Sequence, residues 1–185
     1  GLLGIIAGYG GGLLDSLIMR VADAFLSIPF LLLAVAMAGV AGPGLKNIII
    51  ILGALGWASY ARVIRGEVLR VREEDFIRLA VVAGCSKTRI ALKHILPNVM
   101  NTLLVLATLQ LGVCIIAEAA LSFLGLGVPP PAPSWGSMLA DGRLFVTTAW
   151  WLALFPGLAI SVTVLASNLL GDWLRVRLDP KFRQL

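Results

Sequence analysis

What most constrains this chain is where its charges are missing. Ala24–Leu45, Asn47–Ala61, Ile95–Ala117 and Leu144–Gly171 contain no Asp, Glu, Lys or Arg, and Gly1–Leu14 is a shorter run of the same kind. A helix needs about 20 mostly apolar residues to cross the hydrocarbon of a bilayer. We therefore expect four full spans, near residues 17–39, 47–66, 97–117 and 149–171, and one partial helix at the start. The second span is short, but its polar end can continue past Arg62 by snorkelling. Only 14% of the 185 residues are charged, against about a quarter in an ordinary soluble domain. The mean hydropathy is +0.95. The expected fold is an all-α, polytopic transmembrane bundle, one domain over 1–185, with lipid as its main solvent.

Helix breakers mark the joints. Gly42-Pro43-Gly44 reads as a tight turn between the first two full spans. Pro129, Pro130, Pro131 and Pro133 each lack a backbone donor and cannot sit in a regular helix. Ala119–Ala140 is therefore expected to be a re-entrant or surface segment, with a short helix near Trp135–Gly142. Pro29 and Pro156 fall within expected spans, where a proline kink is tolerated. No charged n-region precedes the apolar start at Gly1, so the start does not read as a signal peptide; the chain is expected to be a fragment or a processed form.

Basic residues set the orientation. The joint at 40–46 holds only Lys46 and the segment 118–148 only Arg143; Arg20, the stretch Arg62–Lys93 and the stretch Arg175–Arg183 all fall on the other side. The positive-inside rule puts that side in the cytoplasm. Residues 67–96 and the C-terminal tail are thus expected to be cytoplasmic, in a multi-pass protein of the cell (inner) membrane. The net charge of +5 belongs to this face. It lacks the interleaved aromatics of a single-strand binder, so no nucleic-acid partner is expected.

The one long polar stretch, 67–96, is the informative part. Leu69, Phe76, Leu79, Ala80 and Ala83 recur at helical spacing. Glu73, Glu74 and Asp75 stand where a helix dipole favours them. Gly84 is suited to a left-handed helix stop, Ser86 to the cap of a second helix from Lys87 to about Ile95, and Pro97 to the first turn of the next span. The stretch reads as a helix–turn–helix on the cytoplasmic face. Ala80 and Gly84, four apart, would let another surface approach closely, ringed by Lys87, Arg89 and Lys93. The same pattern also suits a helix resting on anionic membrane lipid.

This stretch resembles the EAA loop of ABC importer permeases: Glu-Ala-Ala, three residues, Gly, nine residues, Ile, one residue, Leu-Pro. Aligned on Gly84, the Leu-Pro falls on Leu96-Pro97 and the second alanine on Ala80. Arg78, Leu79 and His94 stand where the pattern has Glu, Ala and Ile. The segments AEAALSFLGLGVPPPAPSWGSMLADGR and WWLALFPGLAISVTVLASNLLGDWLRVRLDP, with the Gly-Pro-Gly joint, resemble permeases of the dipeptide/oligopeptide/nickel family, in particular their second, C-type subunit. The resemblance covers essentially the whole chain. It implies a six-span permease lacking here its first span and most of its second. It also implies a homologous second permease, two cytoplasmic ATPase subunits and an extracytoplasmic substrate-binding protein as partners. The expected cargo is a short peptide, with nickel as the alternative. Arg78, Leu79, Ala80, Ala83, Gly84, Ser86, Lys87, Arg89, Leu96 and Pro97 would form the ATPase-coupling site.

Other chemistry is argued against residue by residue. Ala83–Thr88 lacks the glycine spacing and the Gly-Lys-Ser/Thr order of a phosphate loop, so ATP hydrolysis is expected of a partner. His94 is the only histidine, and no GxSxG motif accompanies it; the chain is not expected to be an enzyme. Cys85 and Cys114 are isolated, and no metal or other cofactor is expected. An ATPase-independent channel or carrier would need ionisable groups within the spans, which are nearly bare of them. The exception is Glu118 at the outer end of a span. It could face the substrate path, meet Arg143, or act as a helix cap or a partner at a subunit interface. Asp15 and Asp23 flank Arg20 and could pair with it. Trp135, Trp150 and Trp151 suit an interfacial aromatic belt.

Overall fold

The computed structural model describes residues 1–178, and among these the regular structure is entirely helical. Helix α1 (Leu2–Gly10) stops at Gly11, and α2 (Gly12–Leu26) begins at once. Gly11 and Gly12 have φ of 65° and 61°, a left-handed pair that only glycine adopts cheaply. Helix α3 (Phe30–Ala41) follows α2 after a break of three residues and is inclined to it by 85°. The expected single span over 17–39 is therefore two helices. Pro29 has no N–H and keeps Ile28 out of the helical region. The Ser27 N–H still bonds to Asp23 O at 2.9 Å, and its hydroxyl donates to Ala24 O at 2.8 Å, closing α2 cleanly.

Gly42 and Gly44 take φ of 81° and 145° at the next joint. The Asn47 side chain donates to Ala41 O and Gly42 O, at 2.8 and 3.1 Å, and so ties off the end of α3. Helix α4 (Leu45–Arg72) then runs six residues beyond the expected end of its span. After Glu73-Glu74 come α5 (Asp75–Val82), α6 (Lys87–Ile90), a π turn at Ala91–Ile95, and α7 (Leu96–Phe123). Pro97 stands in the first turn of α7, as expected, but no break precedes it, because the chain is continuously helical from Lys87 to Phe123. A proline inside an α-helix clashes with the carbonyl four residues back. The wider turn just ahead of Pro97 relieves that crowding; in it the Leu96 N–H bonds to Ala91 O, one residue further back than an α-helix allows.

Helix α8 occupies Trp135–Gly142, where a short helix was expected. Its capping box is complete: the Ser134 side chain accepts from the Ser137 N–H at 3.2 Å, and the Ser137 side chain accepts from the Ser134 N–H at 3.1 Å. A 3₁₀ turn at Arg143–Phe145 leads to α9 (Trp151–Leu178), which keeps Pro156 within it. The Arg183 end of the expected basic tail lies outside the described residues. Among the described residues three helices, Leu45–Arg72, Lys87–Phe123 and Trp151–Arg177, are long and apolar enough to cross a membrane, and four if the bent pair α2–α3 is one span. The chain is a multi-pass membrane protein of several apolar helices.

The chain divides into two compact units. Among the described residues the first comprises 1–27, 56–107 and 172–178. Its core gathers Ile5 of α1, Ile64, Val68 and Val71 of α4, Ile77 of α5, Ile90 of α6, Ile95, and Val99 of α7. Helix α1 reaches α4 through two glycines. A Cβ on Gly4 would stand 2.6 Å from Ala61 O, and one on Gly8 would stand 2.9 Å from Val68 Cβ. The second unit comprises 28–55 and 108–171. Within it Gly136 lies on the Ala119 carbonyl and Gly142 on the backbone of Leu152, while Gly44 N–H bonds to Gly127 O at 2.9 Å. Small residues thus let backbones meet where lipid provides no hydrophobic drive between helices.

Candidate functional site

The segment between α4 and α7 forms an elbow with two chemically different sides. The buried side is apolar: Ile77 and Ile90 are sealed in the core, and Ala80, Cys85 and Leu96 pack against it. The outward side carries Leu79, Val81 and Val82, which are 68%, 57% and 85% exposed. These are three large apolar side chains left open on a segment otherwise rich in charge.

The charges around α5 are drawn into ion pairs, three guanidiniums against four carboxylates. Arg70 pairs with Glu67 at 2.7 Å and Glu74 at 3.3 Å, Arg72 with Glu73 at 3.6 Å, and Arg78 with Glu73 at 3.2 Å and Asp75 at 3.9 Å. Exposed pairs of this kind contribute little to stability, but they leave the apolar face without an unpaired charge. On α6 and the following turn the opposite holds. Among the described residues Lys87, Arg89 and Lys93 make no ion pair, and all three are exposed.

The corner is made by local chemistry. Gly84 has φ of 76°, and the three amides after α5 fold back on it: Ala83 N–H to Leu79 O at 2.9 Å, Gly84 N–H to Val81 O at 3.0 Å, and Cys85 N–H to Ala80 O at 3.1 Å. Ser86 then caps α6, its hydroxyl oxygen accepting from the Arg89 N–H at 3.3 Å. A Cβ built on Gly84 would touch nothing within 4 Å.

Of the residues expected in the coupling site, the elbow brings together Arg78, Leu79, Ala83, Gly84, Ser86, Lys87 and Arg89 on its exposed surface. Ala80 is half-buried toward the core and shares no open face with Gly84; Leu96 is also half-buried. Pro97 is exposed within the continuous helix. Residues 67–72 are the end of α4, so the elbow proper begins after Arg72. Val81 and Val82 were not singled out in the sequence, although two β-branched residues closing a charged helix are a legible sign of an apolar face.

Glu118, half-buried on α7, accepts a hydrogen bond from the Ser122 hydroxyl at 2.6 Å. It does not meet Arg143, whose guanidinium lies 5.3 Å from the centre of the Phe123 ring. Asp15 and Asp23 do not take Arg20 either. Asp15 binds Arg65 through two bonds, at 2.5 and 2.6 Å, and Asp23 binds Arg62. Among the described residues no group of His, Cys, Asp and Glu could hold a metal ion.

Comparison with known proteins decides the family. Residues 1–184 match the family described as "Binding-protein-dependent transport system inner membrane component". The chain belongs to this family. Among its relatives, the dipeptide transport system permease protein DppC of Alkalihalophilus pseudofirmus is 45% identical over 98% of the chain and 60% of its own length. The di/tripeptide transport system permease protein DppC of Pseudomonas aeruginosa is 44% identical over 98% of the chain and 60% of its own length. The glutathione transport system permease protein GsiD of Escherichia coli is 46% identical over 95% of the chain and 58% of its own length. The chain thus spans about three fifths of these curated relatives.

Proposed function

We propose that this chain is the membrane permease part of an ATP-driven importer of short peptides. The observation that carries the reading is the elbow's outward face, Leu79, Val81 and Val82, presented by a segment whose other side is fixed in the core. In this reading the elbow lies in the cytoplasm and docks on an ATPase. The basic residues on one side of the spans support that orientation. Closure of an ATPase pair would push the elbow, and the core cluster would pass the push to α4 and α7 as a rigid-body movement. A homologous permease would complete the path, and an extracytoplasmic binding protein would deliver the cargo. The peptide cargo rests on the relatives, whose names specify dipeptide, di/tripeptide and glutathione transport. Glu118, the one carboxylate in the span α7, is proposed to face the path.

Topology is the direct test. Cys85 is half-buried at the corner of the elbow, and a membrane-impermeant thiol reagent is expected to reach it in inside-out vesicles and not in intact cells. Labelling of Cys85 from outside would invert the topology and remove the ATPase from the picture.

A further inference from the structure

Helix α2 is bracketed by two sharp joints, the left-handed Gly11-Gly12 pair and the break at Ser27–Pro29, yet it is not loose. Two carboxylates eight residues apart hold it to two guanidiniums three residues apart on α4. The Asp15–Arg65 contact is bidentate and half-buried, and the Asp23–Arg62 contact is exposed. Ala22, between them on the same face, is fully buried. The opposite face of α2 carries Leu13, Leu17 and Val21 at helical spacing, 91%, 63% and 42% exposed; a face of that kind suits lipid. The stretch of α4 that receives α2 also carries Ile64 and Val68, which belong to the same core cluster as the elbow's Ile77 and Ile90.

We propose that Asp15–Arg65 and Asp23–Arg62 form a latch that makes α2 move with α4, so that a displacement of the elbow reaches the joint at 27–29. The proposal rests on the coupling role of the elbow. The four residues are positioning residues: they touch neither cargo nor nucleotide and act through the helix they hold. One exposed pair adds little to stability, so its loss should leave the protein folded. A bidentate carboxylate–guanidinium contact fixes direction as well as distance, which is what transmission of a movement requires.

The test uses the complete transport system in proteoliposomes, with uptake and ATP hydrolysis measured together. With Asp15→Asn and Asp23→Asn combined, assembly with the ATPases should persist. Peptide taken up per ATP should fall by at least about fivefold, the lower end of typical coupling between sites. Exchanging the charges, Asp15→Arg with Arg65→Asp, should recover most of the loss made by either change alone; absence of recovery would overturn the ion-pair account. If the double variant does not assemble, Asp23→Asn alone should show a smaller fall of the same kind, and unchanged uptake per ATP in it would overturn the latch. Gly84→Leu separates the two ideas. If it uncouples transport while the latch variants do not, the latch alone is wrong. If it leaves transport intact, the elbow reading fails and the latch with it.

Discussion

Gly84 allows a backbone requirement to be separated from a docking requirement. Its φ of 76° lies in the left-handed region, which costs an ordinary L-residue about 1–2 kcal/mol. Asparagine tolerates that region better than most. The space around a Cβ is empty to 4 Å, so within this chain size should not matter. Gly84→Ala and Gly84→Leu are expected to weaken the corner equally, by about 1–2 kcal/mol, or a factor of about 5–30 in the opening equilibrium. Gly84→Asn should weaken it less. The amide of Cys85, bonded to Ala80 O at 3.1 Å, reports this directly, because its hydrogen exchange should accelerate by that factor in the Ala and Leu variants. Docking should rank the variants differently. A partner surface closing over the corner meets the side chain, so capture of the ATPase should decline with size, with Asn and Leu both worse than Ala. Exchange rates that rise with side-chain size would refute the open corner. ATPase capture that follows exchange alone, with Asn near wild type, would refute close approach.

Three further outcomes are expected. Gly4→Val should destabilise the protein by about 1–3 kcal/mol through overpacking, since even a Cβ would stand 2.6 Å from Ala61 O and 2.9 Å from Ile64 Cβ; thermal unfolding in detergent reads this, and a wild-type midpoint would contradict the close approach of α1 to α4. Ile95→Ala removes a fully buried side chain from the cluster joining α1, α4, the elbow and α7 and should cost about 2–5 kcal/mol, with protease cleavage at Arg78 and Lys87 rising as the elbow loosens. Glu118→Gln keeps an acceptor for the Ser122 hydroxyl and should leave assembly intact while uptake falls severalfold; equal uptake would take Glu118 out of the transport path.

Uncharged runs located α4, α7 and α9 because length and apolarity are all that a span requires. They ended these helices too early because a helix does not stop where its charges begin. Beyond Ala61, Arg62 and Arg65 stay in α4 by pairing with α2, and Ile64, Val68 and Val71 by facing the core. The corner at Gly84 and Ser86 was legible residue by residue, since left-handed backbone and capping are local chemistry. The prolines were legible only in part. Pro156 lies within its span and Pro97 in the first turn of α7, as expected, but Pro29 was expected to kink a span and breaks it, and the chain ahead of Pro97 is already helical. Whether a proline breaks or bends depends on whether the preceding turn can widen, and neighbouring structure decides that. The partners of Asp15 and Asp23 lie 50 and 39 residues away. A sequence shows near neighbours such as Arg20 far more readily.

The widened turn at Ala91–Ile95 also fixes an azimuth. Each residue of an α-helix turns the chain by about 100°, so the one extra residue sets the compass bearing at which Lys87–Ile90 leave the axis of α7. Deleting a single residue there, together with replacement of Pro97, could restore an unbroken helix. It would also swing the elbow about a quarter turn around that axis and aim its valines and leucine at a different neighbour.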